Sequence, residues 1–144
     1  MILKGLIIIL AVAISIRDIL HYKIPNMLLI LMIIAKSSDI MLGILSEEQG
    51  IWILLSAFAG AAAGFIIFFS ASKMGYILGA GDIKYSVVAG YVLGFGGYLW
   101  AMLIAGGTAL CFFAFMRKVR RMYLNVTIPL APFISAGLII MLLI

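Results

Sequence analysis

Polar residues cut the chain into long apolar stretches at close to helical membrane-crossing length. Leu3 to Ile16 carries one charge, Lys4, before Arg17 and Asp18 end the run. The polar connection from Arg17 to Lys23 leads into Ile24-Pro25-Asn26 and a second stretch from about Met27 to Leu45. Proline suits a first helical turn, where its missing N–H is no loss. Lys36 and Asp39 interrupt the later half of this stretch and, three positions apart, can pair on one helix face. Ser46-Glu47-Glu48-Gln49-Gly50 reads as an acidic turn. Ile51 to Ser70 has no charge and, at about 20 residues, matches the hydrocarbon thickness of a bilayer. Its Gly60-Ala61-Ala62-Ala63-Gly64 segment predicts a close helix crossing. Ala71 to Leu78, with Lys73, then leads to a glycine hinge at Gly79-Ala80-Gly81.

From Ile83 to Met116 the chain stays apolar, and as one helix it would run about 51 Å, too long for one crossing. Gly94-Phe95-Gly96-Gly97 is the expected break, giving a fourth span from Ile83 to Leu93 and a fifth from Tyr98 to Met116. The basic cluster Arg117-Lys118-Val119-Arg120-Arg121 follows, and a sixth span begins at Ile128 or Pro132 and runs to Ile144. The expected fold is an all-α polytopic membrane protein of about six transmembrane helices, residues 1–144 forming one membrane-embedded domain.

Composition agrees: 67% of residues are hydrophobic, 10% are charged and the mean hydropathy is +1.33, far from a soluble domain. The net charge of +5 does not indicate nucleic acid, because the basic residues flank apolar spans. Arg17, Lys23, Lys73, Lys84, Arg117, Lys118, Arg120 and Arg121 are eight of the ten, and all follow spans one, three or five. By the positive-inside bias those connections are cytoplasmic and both termini lie outside. The arginine cluster reads as a contact for anionic membrane lipid. Lys4, the first apolar run and Ala11-Val12-Ala13 imitate a signal peptide, but the run continues past that point through Ile16. Cys111 has no partner for a disulfide or a cysteine-based zinc site and reads as a small buried apolar residue.

This topology brings Asp18 and Asp82 to one membrane face, each beside a helix break. Near-membrane acids are costly to desolvate and usually face a polar cavity. Two carboxylates that share a site hold one proton between them, so one can act as base on water while the other hydrogen-bonds a scissile carbonyl. The chain has no grouping of hydroxyl, base and orienting acid, and its only histidine, His21, reads as a solvated loop residue. The hinge glycines would let backbone approach the acid or a substrate in conformations closed to other residues. Asp82 opens a span and Asp18 ends one; if the helix dipoles alone set the asymmetry, Asp82 is the resting base and Asp18 the acid. Lys84, two positions beyond Asp82, would point to a different face, as a topology anchor or as a partner of substrate or acid. Two rival classes use the same acids or none of them. A transporter or cation relay needs polar steps through the membrane depth, where only Lys36 and Asp39 stand. The other is a non-catalytic partner in a secretion assembly.

These residues resemble the type IV prepilin peptidases, membrane aspartyl proteases of the GxGD class. Asp18 with Ile24-Pro25-Asn26 is similar to the family's first aspartate and the motif behind it. Gly79-Ala80-Gly81-Asp82-Ile83-Lys84 is similar to its GxGD motif with trailing lysine, and Pro129-Leu130-Ala131-Pro132-Phe133 to its proline-bearing last span. The resemblance implies an endopeptidase of the inner (cytoplasmic) membrane that removes the short basic leader of prepilin-like proteins at the cytoplasmic face. It also implies Asp18 and Asp82 as catalytic residues, with Gly79, Gly81, Lys84, Pro25, Asn26 and Pro132 shaping the site or touching substrate. The longer bacterial members add a methyltransferase region with a cysteine-rich zinc loop. This chain has no counterpart, so no metal, cofactor or N-methyltransferase activity is expected, and it looks most like the short peptidases of tight-adherence (Flp-type) pili or of archaeal preflagellins and prepilins. A basic face does not attract a basic leader, so the leader is expected to meet the two acids or backbone carbonyls near the glycines.

The charge count generates a topology prediction. Reporter fusions after Glu48 and Gly96 read outside, and fusions after Lys23, Met74 and Arg121 read inside; an inside signal after Glu48 would separate the faces of the two acids.

Overall fold

The computed structural model describes residues 2–45, 50–74, 79–120 and 129–144. Those residues form five helices: α1 (Ile2–His21), α2 (Asn26–Leu45), α3 (Gly50–Lys73), α4 (Ala80–Arg120) and α5 (Ala131–Leu143). Helix α2, α3 from Ile51 and α4 as far as Met116 are long and apolar enough to cross a membrane. The protein is an all-helical membrane protein. Large apolar side chains cover its outside, among them Ile30, Trp52, Ile66, Leu103 and Phe115, as befits a surface whose solvent is lipid rather than water. Cys111 is exposed in the same way, not buried as its apolar neighbours suggest. The acidic turn 46–49, the end of the segment before the hinge (75–78) and Arg121 through Ile128 lie outside the described residues.

Helix α4 is not straight. Gly94 leaves the helical range at φ 72 and ψ 175, a left-handed conformation that glycine adopts without a steric penalty. It divides α4 into arms 80–93 and 95–120, at the first residue of the expected break. The hydroxyls of Ser86 and Tyr98 meet at 2.5 Å across this turn, whereas in a straight helix their backbones would stand about 18 Å apart. Contacts with α5 show the chain doubling back. Tyr85 of the first arm meets Ser135, while Ala101 and Phe112 of the second arm meet Gly137 and Phe133 in the reverse order.

The tightest packing joins α3 to the first arm. Gly64 faces Ser86, Gly60 faces Gly90, and Ser56 faces Gly94, so the two helices run antiparallel with a small residue at every fourth position on each. A Cβ on Gly64 would stand 2.5 Å from the Ser86 carbonyl oxygen, and one on Gly60 would overlap the Gly90 carbonyl. The Gly60–Gly64 segment therefore does form a close crossing, and its counterpart is the Ser86, Gly90, Gly94 stripe. In lipid, where apolar burial between helices brings little, such backbone contact is a main source of attraction.

Around this pair the core gathers Ile7, Leu10 and Ile14 of α1, Leu29 and Met32 of α2, Tyr85 and Val92 of α4, and Leu138 of α5. Helix α1 does not stop at Arg17. It continues one turn to His21, which is helical and exposed rather than a loop residue, and Tyr22 ends it at φ 50 with its N–H donating to the Asp18 carbonyl at 2.9 Å. Lys36 and Asp39 pair at 3.5 Å on the half-exposed flank of α2, as their spacing predicts.

The α3–α4 contact gives a stability prediction. Gly60→Ala should destabilise the fold by about 1–3 kcal/mol, the usual cost of overpacking. Gly106→Ala, where a Cβ would meet nothing within 4 Å, should not; unfolding midpoints in one detergent compare the two.

Candidate active site

The sequence brings three helix ends together at one place: the last turn of α1, the first turn of α4 and the start of α5. Asp18 lies in that last turn, buried, and its Oδ2 accepts a hydrogen bond from the Ala131 N–H at 3.1 Å. The first N–H groups of any helix lack partners within the helix, and α5 has no side-chain cap at Leu130. Pro132 has no N–H to offer, and the Leu130 carbonyl already accepts from Phe133 and Ile134 at 3.1 and 3.2 Å. Asp18 thus supplies from α1 the cap that the α5 sequence lacks.

This contact alters the electrostatic expectation. Asp18 ends its own helix, but its carboxylate sits at the positive N-terminus of α5, as Asp82 sits at that of α4. The dipoles no longer distinguish the two acids, and the asymmetry expected from helix ends loses its basis.

Asp82 follows a tight hinge in which the Asp82 and Ile83 N–H groups both donate to the Gly79 carbonyl, at 3.0 and 3.4 Å. A Cβ on Gly79 would stand 3.2 Å from Asp82 Oδ2, and one on Gly81 would stand 3.4 Å from Ile24 Cβ. Neither glycine has a positive φ; among the described glycines only Gly94 does. The hinge glycines therefore serve by making room beside the acid and beside Ile24, not by a backbone conformation closed to other residues.

Both acids line one cleft of about 350 Å³ with Tyr22, Lys23, Ile24, Asn26, Gly79, Ala80, Gly81 and Lys84. The charge of Asp18 acts on Asp82, so ionising one opposes ionising the other. Lys84 belongs to this cleft despite its place two positions beyond Asp82, because its long stem carries the ammonium to Asn26 Oδ1 at 3.4 Å. Pro25 and Pro132 stand outside the lining. The first ends just before α2, its carbonyl accepting from Leu28 at 3.1 Å, and the second lies in the first turn of α5. Tyr22 and Lys23 also line the cleft, beyond the site residues expected from sequence; their place about one turn past Asp18 at a helix end is the signal that points to them. No group of three His, Cys, Asp or Glu side chains that could hold a metal occurs among the described residues.

The model of the type IV leader peptidase family matches residues 5–115, most of the chain. The protein belongs to that family. As a leader peptidase it is a hydrolase of peptide bonds, and the match takes in nearly all of α1 to α4, hence both acids and the hinge, and ends before α5. No match was found among curated proteins or among solved structures.

The capping contact gives Asp18 a structural role in this leader peptidase. Asp18→Ala leaves the Ala131 N–H buried without an acceptor and should lower stability by about 1–3 kcal/mol. Asp18→Asn keeps an oxygen there and should unfold near the wild-type midpoint in the same detergent melt.

Proposed function

We propose that this leader peptidase removes the short basic leader of type IV prepilin-like precursors, with Asp18 and Asp82 as the catalytic pair. The observation that carries the reading is that these two acids, from opposite ends of different helices, line one cleft with Ile24, Asn26 and the Gly79–Gly81 segment. One carboxylate takes a proton from a water, whose oxygen attacks the scissile carbonyl. The protonated partner donates to the carbonyl oxygen, and the tetrahedral intermediate then expels the new amine as that amine gains a proton. The pair starts and ends the cycle with one proton between two carboxyls, so neither metal nor covalent intermediate is required.

The same reading places the cleft at the cytoplasmic face of the inner membrane, with six crossings and both termini outside. Three features support it. The arms of α4 are antiparallel, α3 runs against the first arm, and eight of ten basic residues follow spans one, three and five. The first arm, about 21 Å long, is shorter than the hydrocarbon core, and its packing against α3 and α5 shields it. Prepilin-like proteins, with a leader joined to a hydrophobic helix, are then the protein partners, and membrane lipid the surrounding one.

Co-expression with a prepilin tests this. Leader release should fall at least about 100-fold in Asp18→Asn and in Asp82→Asn, the scale of lost acid or base catalysis. It should persist with chelator, leave an unmethylated mature N-terminus, and follow a bell-shaped pH profile whose limbs belong to the pair. Normal processing by either variant would refute the assignment; cation flux that depends on the acids, without cleavage, would favour a transporter.

A further inference from the structure

Directly beneath the acids lies a buried hydrogen-bonded chain that the proposed chemistry does not use. Ser135 Oγ lies 3.1 Å from the Ala11 carbonyl oxygen and 2.6 Å from the Tyr85 hydroxyl. A serine has one hydroxyl proton, and a carbonyl can only accept. Ser135 therefore donates to Ala11, and Tyr85 must donate to Ser135. The chain runs in one direction, from α4 through α5 to α1. Tyr85 is fully buried and Ser135 is 2% exposed, so neither hydroxyl has water as an alternative partner.

The three helices in this chain are the three that form the acid site, in the same order. Tyr85 stands three positions after Asp82, Ser135 four after Ala131, and Ala11 seven before Asp18. Each spacing returns to the same helix face. The lower layer thus repeats the upper one, at about 4.5, 6 and 10.5 Å along the respective axes. In the upper layer the only direct bond is from Ala131 to Asp18; no hydrogen bond joins Asp82 to α1 or α5 among those of the described residues. Something else must set the height of α4, and with it of Asp82, against the other two helices.

We propose that Tyr85 and Ser135 are positioning residues that fix the axial register of Asp82 against Asp18. The α5 helix is the common reference: its Ala131 N–H holds Asp18, and its Ser135 holds α4 through Tyr85 and α1 through Ala11. Sliding α4 along its axis would break a 2.6 Å bond in surroundings that offer no replacement. The distance between the carboxyls, and so their sharing of a proton, is held by this bond. The inference rests on the reading of Asp18 and Asp82 as the catalytic pair.

A matched control exists in the same bundle. Ser86 and Tyr98 form a second hydroxyl pair at 2.5 Å, with Ser86 also 3.3 Å from the Gly64 carbonyl. Its hydrogen bonds join α3 and the two arms of α4, and none of them goes to α1 or α5. If buried hydroxyl pairs serve only stability, the two pairs should behave alike.

The experiment measures leader release by purified, detergent-folded enzyme across pH for wild type, Tyr85→Phe, Ser135→Ala, their double variant, Ser135→Thr and Tyr98→Phe. Tyr85→Phe should lower kcat about 10-fold with KM little changed, as expected for misplaced catalytic groups. Its pH limbs should move, because the coupling between the carboxyls depends on their separation. Among the described residues that line the cleft, the charged or titratable groups besides the acids are Tyr22, Lys23 and Lys84; none is altered, and α5 contributes no titratable side chain. Ser135→Ala should match Tyr85→Phe, the double variant should be no worse than either single one, and Ser135→Thr should restore the wild-type limbs. Tyr98→Phe should lower the unfolding midpoint and leave the limbs in place. Should Tyr85→Phe not be recovered folded, Ser135→Ala, which removes one oxygen, decides by itself. Wild-type limbs and kcat in Ser135→Ala, or equal displacement of the limbs in Tyr98→Phe, would overturn the proposal. Asp82→Asn in the same series keeps the two questions apart: full activity there sinks the catalytic pair, whereas an inactive Asp82→Asn beside a wild-type-like Ser135→Ala sinks only the positioning role.

Discussion

The architecture depends on the backbone contact between α3 and the first arm of α4. Lipid is as apolar as leucine, so helices in a membrane gain little by hiding leucine from it; they gain by approaching closely. Small residues at 56, 60 and 64 on one helix and 86, 90 and 94 on the other remove the side chains that would hold the axes apart. The last of these, Gly94, also ends the contact by turning the chain back at a φ of 72. One stripe of small residues therefore settles both how α4 packs and where it reverses.

Once α4 is folded on itself, α5 completes the bundle by meeting three partners within two turns. Ala131 binds Asp18 of α1, Ser135 binds Ala11 and Tyr85, and Gly137 lies against the Ala101 carbonyl of the second arm. Hydrogen bonds of this kind contribute about 1 kcal/mol each in net stability. Their larger effect is geometric, because a buried hydroxyl deprived of its partner has no water to turn to. No buried side-chain nitrogen or oxygen among the described residues lacks a partner.

Under the proposed function the cleft combines two opposing demands. Acids must be held close enough for one to feel the charge of the other, yet water and a peptide must still reach them. Asp18 meets the first demand through its burial and its bond to the α5 terminus. Asp82 meets the second, standing half-exposed on a hinge where a Cβ on Gly79 would come within 3.2 Å of its carboxyl. Two lysines, Lys23 and Lys84, share the lining; under the proposed function they leave a basic leader only the vicinity of the acids.

Much of this was legible in the chain alone. Apolar runs between charged connections announce membrane helices because each needs about 20 residues to span the hydrocarbon. The run from Ile83 to Met116 had to break, and its glycines said where. Asp18, Asp82 and the motifs around them pointed to the family. Other features depend on pairs of residues that only folding brings together. The partner of the Gly60–Gly64 segment, the Ser86–Gly90–Gly94 stripe, is recognisable only once the two helices run antiparallel in register. The helix end that meets the Asp18 carboxylate is not its own but that of α5, more than a hundred positions away. Lys84 reached the cleft because a flexible side chain is not bound by helix-face arithmetic, and the exposure of Cys111 follows from which side of the second arm meets lipid. Local spacing determines which helices form and, to within a turn for α1, where they stop; which group faces which across the bundle is fixed by the close approach of backbones, and that is a property of the fold.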